Sequence, residues 1–121
     1  MTCFLIDDHA DDREIFLMAL KALNPSIGLE MAENGVKALE KIKSDEHFLP
    51  DYIFLDMNMP YMSGKDCLIA LREIERLKNV PILIYSSIQD FEELKSFGAS
   101  RFIRKQNSIA ETTKILSDII K

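Results

Sequence analysis

The stretch 51–64, "DYIFLDMNMPYMSG", decides the fold. Ile53, Phe54 and Leu55 form an apolar run with no polar alternation, which is the pattern of a short strand covered on both faces. The run ends on a carboxylate, Asp56, and breaks into a turn that holds Pro60 and Gly64. A covered strand that carries a charge to its own tip needs a use for the charge and neighbours that tolerate it.

Working outward, other short apolar runs read as strands: 3–6, 27–32, 81–85 and 101–103, beside 52–55 itself. The run at 27–32 alternates more and suits a position nearer an edge. Between the runs lie stretches of helical period. Ile15, Met18, Ala19, Ala22 and Leu23 share a face in 11–23; Cys67, Ala70, Leu71 and Ile74 do so in 64–77; and Ile109, Thr112, Leu116, Ile119 and Ile120 do so in 108–121. Shorter helices are expected at 35–43, with Asn34 as N-cap, and at about 88–96, ended by Gly98. Strand–helix alternation repeated along the whole chain makes a parallel sheet with helices on both faces. The expectation is an α/β, doubly wound (βα)5 fold, flavodoxin-like, with a five-stranded parallel sheet in the order 2-1-3-4-5 and one domain over 1–121.

Composition narrows the function. The chain has 121 residues, net charge −5, 47% apolar and 29% charged residues, and no Lys/Arg-rich run. Nucleic acid is not expected as a partner, because phosphate binding needs a clustered basic face. Nor is a membrane, since no apolar stretch approaches the ~20 residues of a span. Two cysteines, Cys3 and Cys67, stand outside any CxxC or Cys/His cluster. With "MTCFLIDD" lacking the features of a secretory leader, the setting expected is cytoplasmic.

Parallel strands open their site at their C-terminal ends, where the strand order reverses. In the expected order that point lies between strands 1 and 3, which end in Asp7-Asp8 and Asp56. Strand 4 ends in Ser86-Ser87 and strand 5 in Arg104-Lys105. Neighbouring strands are ~4.8 Å apart, so the three carboxylates converge. Such a cluster must take up a proton or hold a cation. The donors nearby are hard oxygens, which suit Mg²⁺. A dication, the Ser86 hydroxyl and the Lys105 ammonium together would neutralise a phosphoryl group in transfer, with a carboxylate as nucleophile.

The ordered set "FLIDD", "FLDMNMPYMSG", "PILIYSS" and "GASRFIRK" resembles the receiver domain of two-component response regulators, of the stand-alone chemotaxis type without an output domain. The resemblance implies a phosphorylation-activated switch in a phosphorelay. It makes Asp56 the phosphoacceptor, Asp8 a direct Mg²⁺ ligand, Asp7 a ligand through water, and the backbone carbonyl of Asn58 the third protein ligand. Ser86 stands for the hydroxyl that meets the phosphoryl oxygen, Lys105 for the paired lysine, and Phe102 for the switch aromatic, a position also explained by core packing. Gly64 closes the loop before the third helix, and Ile88 would shield the site from water. The phosphoryl donor implied is a histidine kinase or a histidine phosphotransfer protein, and the downstream partner a protein on the helix 4–strand 5–helix 5 face. No turnover of an external substrate is implied. Gln106 departs from the family, which usually has proline after its lysine. Here a trans peptide is expected, since cis before a non-proline costs ~3 kcal/mol.

Weaker readings accompany these. Asp7 or Asp8 could cap the first helix. His9 reads as a surface loop residue rather than a ligand, His47 as solvated or structural, and Met57, Met59 and Met62 as packing. Alternative functions are a phosphorylation-independent adaptor and an Asp-nucleophile phosphatase. The phosphatase would need its second acid where Asn58 stands. A flavodoxin-type phosphate binder is opposed by the acidic "DDHADD" after strand 1.

Overall fold

A computed structural model describes residues 1–87 and 91–120. Ile88 and the first residues of the fourth predicted helix lie outside the described residues, as does Lys121. The elements alternate as the sequence implies: β1 (Thr2–Ile6), α1 (Ala10–Leu23), β2 (Gly28–Ala32), α2 (Gly35–Ser44), β3 (Tyr52–Leu55), α3 (Gly64–Arg72), β4 (Ile82–Ser86), α4 (Phe91–Ser96), β5 (Arg101–Arg104) and α5 (Ile109–Ile119). The five strands form one sheet in the order β2-β1-β3-β4-β5, and every pairing is parallel. β2 is an edge strand and is mostly exposed, whereas β1, β3 and β4 are buried after their first residues.

Strand alternation divides the core into two layers. Phe4, Ile6, Ile53, Leu55, Ile82 and Ile84 face α2, α3 and α4. Cys3, Leu5, Phe54, Leu83, Tyr85 and Ile103 face α1 and α5. In the second layer Phe16 packs edge-on against Phe54 and Tyr85, with centroids 4.9 and 5.5 Å away.

Those aromatic contacts correct the predicted face of α1. Its buried residues are Phe16, Ala19 and Leu20, while Met18 is 48% exposed and Ala22 is also exposed. The stripe is rotated because Phe16 has the largest apolar surface to bury and finds two rings to meet. The third helix is also shorter than its apolar period. It stops at Arg72, Ile74 is extended (φ −84°, ψ 114°), and a 3-10 turn covers Glu75–Leu77. Arg72 accounts for the reversal. Its guanidinium donates to the carbonyls of Leu77, Val80 and Gly98, tying the chain after α3 to the base of β4 and β5. Asn34 caps α2, accepting from the Lys37 N–H at 2.8 Å, and Ser63 and Ser108 cap α3 and α5 in the same way. Gly98 follows α4 at φ +103°, the left-handed conformation that suits glycine after a helix.

Candidate functional site

The register sets the site. Ile6 pairs with Leu55, so Asp7 and Asp56 emerge side by side from β1 and β3. The Asp56 N–H still donates to the Ile6 carbonyl at 2.9 Å and the Asp7 N–H to Ala32 at 3.1 Å, so both aspartates leave from well-anchored backbone. Alternation continues Leu5 into Asp7, Phe54 into Asp56 and Ile103 into Lys105, all on the α1/α5 side. The Lys105 N–H is held by the Ser86 carbonyl at 3.1 Å, which carries the lysine one step past β5.

The side chains meet as this geometry requires. Lys105 Nζ lies 2.8 Å from Asp7 Oδ2, 2.9 Å from Asp12 Oδ2 and 3.5 Å from Asp56 Oδ2. Asp7 is fully buried and Asp56 nearly so. Asp7, Asp8, His9 and Asp56 each offer a donor atom, and all four lie within 4.8 Å of one another.

Burial chiefly, then the charges of Asp7 and Asp8, push the Asp56 carboxyl up from 3.8 to about 6, against the pull of Lys105 and a hydrogen bond from the Asn58 N–H. Burial disfavours the charge on Lys105, but hydrogen bonds to Asp7 and Asp12 and the charges of Asp7 and Asp56 outweigh it, so its pKa is raised. Despite these contacts, Asp8 Oδ1 and Asp56 Oδ2 are buried with no aligned hydrogen bond. Buried carboxylate oxygens are ordinarily satisfied. Clustered oxygens left over beside one ammonium suit a hard divalent cation, and the donor set present fits one.

Ser86 and Phe102 lie on the other layer. Ser86 is buried and continues the row of Ile82 and Ile84. Phe102 pairs in register with Ile84, is half-buried, and its ring centroid is 6.2 Å from that of Phe91 in α4. Phe102 is thus both core packing and accessible. Asn58 is exposed, and its backbone N–H donates to Asp56. Gly64 opens α3 against the turn: a Cβ there would lie 2.5 Å from the Asp56 carbonyl oxygen and from Met57 Cα. The Lys105–Gln106 peptide is trans. Met57, Met59 and Met62 pack against the α2/α3/α4 layer, and His47 is exposed.

The structure differs from the sequence expectations in two places. Neither aspartate caps α1: the N-cap is His9, whose side chain makes no capping bond, while Asp7 Oδ1 accepts from the His9 N–H at 3.0 Å. His9 is half exposed, yet its Nδ1 turns inward to 3.1 Å from Asp8 Oδ1 and 3.9 Å from Asp56 Oδ2. Asp12 joins the site although no sequence motif marks it. It sits in the first turn of α1, three residues after the His9 N-cap, with its carboxylate 3.8 Å from His9 Nδ1 and 2.9 Å from Lys105 Nζ.

Comparison with known proteins agrees with this architecture. The sequence pattern of the response regulator receiver domain matches residues 3–117. The chain is 31% identical over 119 residues to the "Sensor histidine kinase CheAY" of Helicobacter pylori, covering 96% of this chain and 14% of that protein. It is 32% identical over 118 residues to "Two-component response regulator ORR13" of Oryza sativa subsp. japonica, covering 95% and 94%. The chain spans a third or less of the length of several curated relatives it matches. The chemotaxis response regulator CheY4 of Vibrio cholerae superposes with a TM-score of 0.82 at 24% identity over 98% of both chains, a likeness of fold.

Proposed function

The chain belongs to the response regulator receiver domain family, whose members are phosphorylation-activated signalling switches, and from that premise we propose that Asp56 is the phosphoacceptor of such a switch. The observation that carries the assignment is the buried, unsatisfied Asp56 Oδ2 among Asp7, Asp8 and Lys105 at the open end of the sheet. The donor is a phosphohistidine on a histidine kinase or a histidine phosphotransfer protein. A carboxylate oxygen of Asp56 attacks phosphorus in line. The new P–O bond forms as the P–N bond breaks, and the electron pair returns to the donor imidazole. Asp8, Asp56 and the Asn58 carbonyl, with Asp7 through water, would hold Mg²⁺. When bound, Mg²⁺ supplies neutralisation of the charge on the phosphoryl oxygens.

Lys105 then pairs with the phosphoryl group, and Ser86 donates its hydroxyl to a phosphoryl oxygen. Ser86 shares a layer with Phe102, and Phe102 touches Phe91. A pull on Ser86 would be passed along that layer to β5 and α4, part of the α4–β5–α5 face. That face is the proposed site for a downstream protein, with a coupling of about 1–3 kcal/mol typical of such switches. The stretch 1–121 acts as one receiver unit, supported by the single sheet that takes in all its strands. The chain gains and loses its own phosphoryl group and turns over no external substrate. A cytoplasmic setting goes with the donor.

The test is phosphoryl incorporation from a small acyl phosphate with Mg²⁺, read by intact mass. The wild-type chain should gain one phosphoryl group and Asp56→Asn none. Undiminished incorporation in the variant would sink the assignment.

A further inference from the structure

We infer that the His9 imidazole is an inner-sphere ligand of the cation at this site and shifts its preference from Mg²⁺ toward late first-row dications such as Co²⁺ and Ni²⁺. The inference rests on the receiver reading of the acidic cluster and adds a nitrogen donor to it.

The backbone sets His9 in place. It follows Asp7-Asp8 directly and occupies the N-cap of α1 in an extended conformation (φ −90°, ψ 114°). Its N–H is tied to Asp7 Oδ1 at 3.0 Å, which holds the residue against the pocket. Its side chain spends nothing on capping the helix. Although 57% exposed, it directs Nδ1 inward, to 3.1 Å from Asp8 Oδ1, 3.4 Å from Asp7 Oδ1 and 3.9 Å from Asp56 Oδ2.

Those separations have the size of a coordination shell. With metal–donor bonds of about 2.0–2.2 Å, donors at right angles lie ~3 Å apart and opposed donors a little over 4 Å. One donor atom from each of Asp7, Asp8, His9 and Asp56 falls within 4.8 Å of all the others, so only small side-chain adjustments are needed. An independent observation points into the same volume. Asp56 Oδ2 lacks an aligned hydrogen bond although its side chain is only 3% exposed.

Ligand chemistry decides the metal class. Carboxylate, carbonyl and water suit Mg²⁺, which needs near-ideal octahedral oxygen coordination. A neutral imidazole adds little for Mg²⁺ but binds the later first-row dications well. Exchanging one water for Nδ1 therefore strengthens Co²⁺ or Ni²⁺ far more than Mg²⁺. Removing His9 should leave an ordinary oxygen site.

The experiment titrates wild type, His9→Gln and Asp8→Asn with Mg²⁺ and with Co²⁺ by calorimetry. Pulsed EPR of the Mn²⁺-loaded proteins gives a second readout. Expected are a Co²⁺ loss in His9→Gln that exceeds its Mg²⁺ loss by about tenfold or more, and ¹⁴N modulation in wild type that the variant lacks. An unchanged Co²⁺/Mg²⁺ affinity ratio, or no nitrogen modulation in Mn²⁺-loaded wild type, overturns the inference. If His9 is only a counter-charge to the carboxylates, its removal tightens both cations equally, which also overturns it. In these cases Mg²⁺ binding that is lost in Asp8→Asn leaves the receiver reading standing. If wild type binds neither cation, or Asp8→Asn binds them undiminished, both readings fall.

Discussion

Replacing Asp56 by Asn should stabilise the fold when divalent cations are chelated. The Asp56 side chain is 2–3% exposed, and burial chiefly, with Asp7 and Asp8 beside it, lifts its pKa from 3.8 to about 6. In the unfolded chain the same carboxyl titrates near its ordinary value. An acid with a raised folded-state pKa holds its proton more tightly when folded. Its contribution to stability is therefore greatest below the unfolded pKa and is lost as pH rises through the folded one, between about 4 and 6. At neutral pH the penalty is complete. A rise from 3.8 to about 6 corresponds to roughly 3 kcal/mol, an upper figure for a group coupled to its neighbours. Asn has the same shape, carries no charge, and keeps an acceptor for the Asn58 N–H. It gives up the 3.5 Å contact with Lys105, but the ammonium retains Asp7 at 2.8 Å and Asp12 at 2.9 Å.

The net gain is expected at about 1–3 kcal/mol, or roughly 0.5–2 M in urea midpoint at an ordinary m-value. The assay is urea unfolding of both proteins with EDTA at about pH 7.5, repeated at about pH 4, where the difference should shrink toward zero. Saturating Mg²⁺ should stabilise wild type by mass action and the variant much less, narrowing or reversing the order. A lower midpoint for Asp56→Asn in EDTA, at unchanged m, would refute the reasoning. The Lys105 attraction would then outweigh the burial of the carboxylate.

Two further outcomes follow from named contacts. Gly64→Ala places a Cβ 2.5 Å from the Asp56 carbonyl oxygen and Met57 Cα; since both are backbone, the turn must move, at a cost of about 2–4 kcal/mol, and an unchanged melting temperature and Mg²⁺ affinity would count against the close approach. Asp12→Asn removes a partly exposed carboxylate from Lys105, so more of the ammonium's charge falls on Asp56 and the incoming phosphoryl group; phosphorylation by a small acyl phosphate should quicken about two- to fivefold, as fits a pair worth up to ~1 kcal/mol, and an unchanged rate would show that Asp12 does not compete.

The sheet was legible because its information is local. A short run such as Ile53–Leu55 with no polar alternation, closed by turn residues, suits a strand covered on both faces, and helical stretches between such runs favour parallel crossovers. With 2-1-3-4-5 as the leading strand order, Asp7 and Asp56 come to neighbouring tips, and Lys105 reaches them from β5 across β4. Helix faces were less legible. In α1 the apolar residues permit adjacent stripes, and the choice is made by Phe16 meeting Phe54 and Tyr85, which are far away in sequence. The end of α3 depends on Arg72 finding carbonyls at 77, 80 and 98, and no local propensity encodes that. His9 was hidden for a related reason. Its exposure was readable, but the closeness of Nδ1 to Asp8 Oδ1 depends on a side-chain rotamer that no sequence pattern encodes. Asp12 could have been found as an acid in the first turn of the helix that leaves the β1 tip.

The charge balance imposes an order of events. Asp7, Asp12 and Asp56 surround the single ammonium of Lys105, and Asp8 adds a further carboxylate. Like charges ~4 Å apart repel by about 4 kcal/mol at an effective dielectric of 20. An anionic phosphoryl donor therefore meets a barrier at this pocket until its charge is lowered. Protonating Asp56 would lower it, but would also remove the nucleophile. Lys105 alone cannot, since its two shorter contacts are to Asp7 and Asp12 rather than to the acceptor. A dication held by Asp8 and Asp56, with Asp7 through water, would offset that repulsion while leaving Asp56 ionised. Lys105, already 3.5 Å from Asp56 Oδ2, would then be shared with the incoming phosphoryl group. Cation first and phosphoryl second is thus the order that this excess of carboxylate charge favours.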